Sequence, residues 1–113
     1  MSAQRELFGD VTLDQPLIRW RAESTRVEEP IVGGVRTRSP LAALLTLACE
    51  LLHCDRYGLA RATWRVRLWH HGRWQPGERT IRVLAPSRGL PLRAWIPGVG
   101  LYDVHGEPIR RAA

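Results

Sequence analysis

Hydrophobic positions fall into two regimes along this chain. Between residues 39 and 58 they are nearly continuous, through Leu41, Ala42, Ala43, Leu44, Leu45, Leu47, Ala48, Cys49, Leu51 and Leu52. Beyond residue 60 they alternate with polar ones. The first regime predicts a helix: Ser39 can cap it, Pro40 suits its first turn, and Gly58 offers a left-handed stop. Thr46, Glu50, His53 and Tyr57 interrupt the run at spacings of four, three and four, which on a helix is one narrow stripe. A helix of this composition is expected to be buried nearly all round, with the stripe as its solvent line.

The second regime predicts strands. Across residues 60–68, Ala62, Trp64, Val66 and Leu68 face one way and Arg61, Thr63, Arg65 and Arg67 the other, a period of two that helices do not produce. Residues 80–85 repeat it, with Ile81, Val83 and Ala85 against Thr80, Arg82 and Leu84. Extended structure is also expected over 11–22, where Ile18, Trp20 and Ala22 oppose Leu17, Arg19 and Arg21 and Asp14-Gln15-Pro16 breaks the run. Trp74-Gln75 reads as a short return, and residues 90–96 and 101–104 add two more strands; Pro91 argues for an edge position in the first of these. Turn residues separate them at His70-His71-Gly72-Arg73, Pro76-Gly77-Glu78, Pro97-Gly98-Val99-Gly100 and His105-Gly106-Glu107-Pro108. Gly33-Gly34 reads as loop beside a short Ile31-Val32 element.

The sum is an α+β protein, one long buried helix packed on a mostly antiparallel sheet of five or six short strands. Residues 1–10 are polar and read as a flexible arm; residues 11–113 read as a single domain. A single sheet covers one side of a helix. The remaining apolar flank therefore calls for the N-terminal strand, the loop at 23–38 or a second copy of the chain, so a homodimer is expected on this ground.

Composition narrows the class. A chain of 113 residues can bury one core, and 44% hydrophobic with 25% charged residues is incompatible with wholesale disorder. The apolar helix is shorter than a bilayer requires. Met1-Ser2-Ala3-Gln4-Arg5-Glu6 has no basic-then-apolar layout, so a cytoplasmic protein without a membrane partner is expected. Cys49 and Cys54 stand about 140° apart on a helix, too far round for a disulfide, which fits a reducing compartment. All 17 basic residues are arginine, and Lys and Asn are absent. GC-rich coding in a bacterium or phage would produce that bias, and it weakens any argument from the choice of Arg over Lys.

The net charge of +6 is unevenly placed. Residues 1–54 hold six arginines against seven acids, and residues 55–113 eleven against four. A positive field on one half attracts nucleic acid or an acidic protein surface.

Strand alternation gathers that charge on the outward face of the sheet, with Arg65, Arg67 and Arg82, joined by Arg19 and Arg21. Trp69 stands at the rim, and Arg73 and Trp74 in the adjoining turn. Guanidinium groups contact phosphates bidentately, and indoles stack unpaired bases. Arg65, Arg67, Trp69, Arg73, Trp74 and Arg82 are thus candidate nucleic-acid-binding residues, with single strands favoured. The same pattern would arise in any sheet with one wet face, and a module docking on an acidic protein surface uses Trp and Arg in the same way.

Other chemistry is thinner. Cys49 and His53 form an i, i+4 pair that His70 and His71 could complete as a metal site, but no paired C-x-x-C accompanies them. His70 and His71 beside Arg73, with Tyr57, Glu78 and His105, could support metal-independent RNA cleavage in the manner of a small basic toxin, though nothing sets a base opposite an acid. The stripe of Thr46, Glu50, His53 and Tyr57 reads more simply as a solvent line than as a contact edge. No nucleotide-binding, nucleophile-elbow or zincin motif is present, and no cofactor is expected.

Overall fold

Ser39 sets the start of the helix. Its backbone is extended, its side chain accepts a hydrogen bond from the Ala42 amide at 3.1 Å, and Pro40 occupies the first turn, where a missing N–H costs nothing. In the computed structural model, which describes residues 15–54, 58 and 60–110, helix α1 runs Pro40–His53. It stops short of Gly58: the Cys54 amide closes the last turn onto the Glu50 and Leu51 carbonyls at 3.0 and 3.2 Å. The flexible arm expected at 1–10, residues 11–14 of the first extended stretch, Tyr57 of the polar stripe and residues 111–113 lie outside the described residues.

The helix is amphipathic rather than buried all round. Ala43, Leu44, Leu47, Ala48, Leu51 and Leu52 are buried, the i, i+3, i+4 stripe of a helix resting on one layer. Ala42, Leu45, Thr46 and Cys49 are half-buried, and Leu41, Glu50 and His53 are exposed. Each fully buried leucine contributes about 1.5–3 kcal/mol of transfer free energy.

Among the described residues the sheet beneath it has seven strands: β1 (Leu17–Glu23), β2 (Ile31–Arg36), β3 (Thr63–His70), β4 (Arg73–Trp74), β5 (Arg79–Leu84), β6 (Arg93–Ile96) and β7 (Gly100–Tyr102). Their order is β2-β1-β3-β5-β6-β7, with β4 also pairing β3, and every pairing is antiparallel. Helix α1 carries the chain from β2 across β1 to β3, so it lies on one face of the sheet. That face supplies Ile18, Trp20, Ala22, Trp64, Val66, Ile81, Val83, Ala94 and Ile96 to the core, all essentially inaccessible. No helix among the described residues is long and apolar enough to cross a membrane.

Two differences from the sequence expectation have clear causes. Strand β2 runs straight through Gly33 and Gly34 instead of ending at Val32, because the glycines let β2 lie close against β1. Gly33 pairs with Trp20, and a Cβ there would stand 2.9 Å from the indole; at Gly34 it would stand 2.9 Å from the Ile18 carbonyl oxygen. Strand β6 is internal, between β5 and β7, since Pro91 precedes the strand and removes no ladder bond from it. Beyond β7 the chain folds back. The Asp103 carboxylate accepts from the His105 and Glu107 amides at 2.8 and 3.0 Å, and the Ile109 amide reaches the Leu101 carbonyl at 2.9 Å.

Candidate nucleic-acid interface

The face of the sheet turned away from α1 carries the arginines. Register fixes their rows: Arg19 pairs with Trp69 and Trp69 with Trp74, Arg21 pairs with Arg67, Glu23 with Arg65, and Thr63 with Arg82, which pairs in turn with Trp95. Of the six residues expected to form a site, Arg65, Arg67, Trp69, Trp74 and Arg82 therefore share one surface, and Arg19 and Arg21 join them. Arg73 does not. It pairs with His70, whose side chain belongs to the helix-facing row, and it stands exposed at the end of the β3–β4 hairpin. The hairpin turn is His71-Gly72, both at positive φ (55° and 75°), the two-residue geometry that matches strand twist.

Trp69 and Trp74 meet edge to face, with ring centroids 5.5 Å apart and planes at 83°. The Arg67 guanidinium carbon lies 5.4 Å from the centroid of Trp74. Trp74 keeps 38% of its surface in solvent. Beside it, Leu17, Arg19, Val32 and the bare backbone of Gly34 enclose an open hollow of about 410 Å³.

Among the described residues the one carboxylate paired with this arginine field is Glu23. It accepts from Arg21 Nε at 2.7 Å and from Arg65 Nη2 at 3.4 Å, and those cations, Arg21 foremost, hold its carboxyl below the usual carboxylate range. Arg19, Arg67 and Arg82 form no ion pair among the described residues.

The tryptophans divide in a way composition alone could not resolve. Trp20 and Trp64 are core, while Trp69, Trp74 and Trp95 belong to the outer face. Trp95, 41% exposed, and Arg93 were missed as members of this face. The signal was present: in Arg93-Ala94-Trp95-Ile96 the apolar Ala94 and Ile96 point to the core, so their neighbours point away.

The histidine constellation is not assembled. His70 is buried, 7% exposed, and its ring stacks on His71 at 3.7 Å with no hydrogen-bond partner for Nε2. Burial, with a smaller contribution from His71, pulls its pKa below 6.5. His105 follows β7, with β5 and β6 between it and β3. Cys49 lies under the turn at Gly106, where burial and Asp103 raise its thiol pKa. Among the described residues no group of three or more His, Cys, Asp and Glu side chains is placed to hold a metal ion.

No family model, curated protein or solved structure matches this chain. Its function must be argued from this surface. Chemically, the outer face offers fixed cations for an anionic backbone and exposed indole for flat rings, side by side on a rigid support.

Proposed function

We propose that the chain is a non-enzymatic binding protein that holds single-stranded nucleic acid on the outer face of its sheet. The observation that carries this reading is the Arg67–Trp74 contact within a row of arginines opposed by one acid. Phosphates would take Arg65, Arg67 and Arg82, and an unpaired base would stack on Trp74, with Trp69 supporting it from the edge. Stacking on an indole contributes about 1–3 kcal/mol per base and needs no particular sequence. Duplex offers phosphates but no free base faces.

The test is a tryptophan-fluorescence titration with single-stranded and duplex oligonucleotides at low and near-physiological salt. Quenching is expected with the single strand, saturable, with a log-log salt slope of about −0.7 per phosphate contacted. Replacing Arg65 and Arg67 together with alanine should abolish it. Salt-sensitive duplex binding without quenching would keep nucleic acid and remove the stacking role.

One observation favours a second reading, an adaptor docking on an acidic protein surface. Val32 is 65% exposed beside Trp74's hollow, an apolar residue that phosphates do not need. Under that reading oligonucleotides give only weak, unsaturable attraction. A homodimer covering the half-exposed side of α1 is a separate proposal, which a monomeric mass by light scattering at micromolar concentration would overturn.

A further inference from the structure

The outer face has a second aromatic end, and arginines flank the path between the two. Trp95 sits on β6 between buried neighbours yet is itself exposed, and its cross-strand partner on this face is Arg82, which has no ion pair among the described residues. Behind Trp95, Leu84, Leu90 and Leu101 wall an apolar hollow of about 370 Å³. Arg93 closes it. Its Nη1 donates to the Ala85 and Pro91 carbonyls at 3.0 and 3.1 Å, while Nε is buried without a partner. The guanidinium is therefore held in place by neutral groups alone, a fixed positive charge at the edge of an apolar recess. The Trp74 hollow has the same parts, an indole, aliphatic walls and an arginine, here Arg19.

Register gives the distance between the two ends. Trp69, paired with Trp74, and Thr63, in the row of Arg82 and Trp95, are six residues apart on β3. That is about 20 Å along the strands, and because β4 pairs the same edge of β3 as β5, β6 lies one strand over from Trp74, about 5 Å across. The diagonal, roughly 21 Å, spans about six nucleotides at the 3.4 Å rise of a stacked strand. Arg67 and Arg65 flank it from β3, one strand to the side, and Arg82 stands beside Trp95 at its far end.

We propose that Trp95 and its hollow form a second base-stacking subsite for the same single strand, which crosses the sheet from Trp74 to Trp95 with its phosphates turned toward the arginines that flank the path, Arg67, Arg65 and Arg82. This rests on the single-strand reading above. It adds a length requirement that the reading by itself does not contain: oligonucleotides too short to reach both indoles engage one end, and affinity steps up once the diagonal is spanned.

The experiment titrates oligothymidylates of four and ten nucleotides into the wild-type chain, Trp95→Leu and Trp95→Phe at one low salt concentration. Leu keeps apolar bulk without a ring, and Phe keeps a ring. The ten-mer should bind Trp95→Leu about tenfold more weakly than wild type, and Trp95→Phe within about threefold, the range expected for loss or retention of one stacked base. The four-mer, free to choose the Trp74 end, should show less than about threefold change in either variant. If Trp95→Leu binds the ten-mer as wild type does, the second subsite is wrong while single-strand binding stands. If no oligothymidylate quenches the wild type, the underlying reading fails and this one with it. Displacement of the ten-mer by polyglutamate of equal charge at equal concentration would also overturn it, in favour of an acidic protein surface.

Discussion

Arg67 places its guanidinium carbon 5.4 Å from the centre of the Trp74 ring, from the strand that β4 pairs with, so the charge and the indole are held together by the sheet itself. Both residues are exposed on the outer face, which puts the contact in the weaker range of cation–π pairs, about 0.5–1 kcal/mol. A double-mutant cycle on Arg67→Ala and Trp74→Ala, read by urea unfolding, should return a coupling of that size. Strict additivity would show that the two are neighbours without interacting.

Gly33 faces the ring of Trp20 from the adjacent strand, with room for no Cβ: the nearest indole carbon would be 2.9 Å away. Trp20 is fully buried under α1, so the ring has little freedom to retreat. Gly33→Ala is expected to destabilise the fold by about 1–3 kcal/mol, the usual cost of overpacking a core. Gly34→Ala should cost at least as much, because its clash is with the Ile18 backbone oxygen, which moves only with the strand. Unchanged urea midpoints for both would mean that β2 sits further from β1 than described.

These two glycines also mark where sequence reading stops. The strands β1, β3 and β5 were legible because alternation at Ile18-Arg19-Trp20-Arg21, Trp64-Arg65-Val66-Arg67 and Ile81-Arg82-Val83 is a purely local record of two faces. Strand β2 was not, since what makes Gly33 a strand residue is the size of Trp20, a partner specified by register and invisible locally. The helix start was legible in Ser39 and Pro40, whose roles are local; its end was misplaced because Gly58 has the left-handed backbone of a stop signal (φ 71°) but stands beyond the turn already closed at Cys54. The arginine face followed from alternation. Its composition did not, because Arg73 falls in the row of His70 and only the hairpin register shows it, while the face of Trp95 is recorded only in the short four-residue alternation Arg93-Ala94-Trp95-Ile96 that follows Pro91.

His70 makes stability depend on pH. Its pKa is depressed, by burial first and by His71 second, so the unfolded chain takes up a proton near 6.5 and the folded chain only at lower pH. Folding therefore keeps its full stability above about 6.5 and loses part of it as pH falls from there toward the folded value. His70→Leu removes both the titration and the unpartnered Nε2, leaving the Gln75 bond to the residue-70 carbonyl intact. Relative to wild type, the variant should gain more stability at about pH 5.5 than at about pH 7.5 in urea unfolding. Equal differences at the two pH values would show that His70 titrates normally.

On the proposed single-strand reading, phosphate would compete with Glu23 for Arg21 and Arg65. In the free protein its carboxylate bridges both, at 2.7 and 3.4 Å, and they lower its pKa below 4.5. A bound strand that claims the same guanidinium groups removes what depresses that pKa, so it rises toward its ordinary value in the complex. Binding then takes up a proton in the window between the two values, and affinity for a single strand should climb as pH drops through 4.5 and below, flattening once Glu23 is protonated in both states. Oligothymidylate is the suitable probe, because thymine does not titrate there. Glu23→Gln should abolish the climb and bind about threefold tighter than wild type at neutral pH and low salt, the scale of one exposed ion pair released. An unchanged neutral-pH affinity together with an unaltered acid-side profile would place the strand away from Arg21 and Arg65, and hence off the centre of this face.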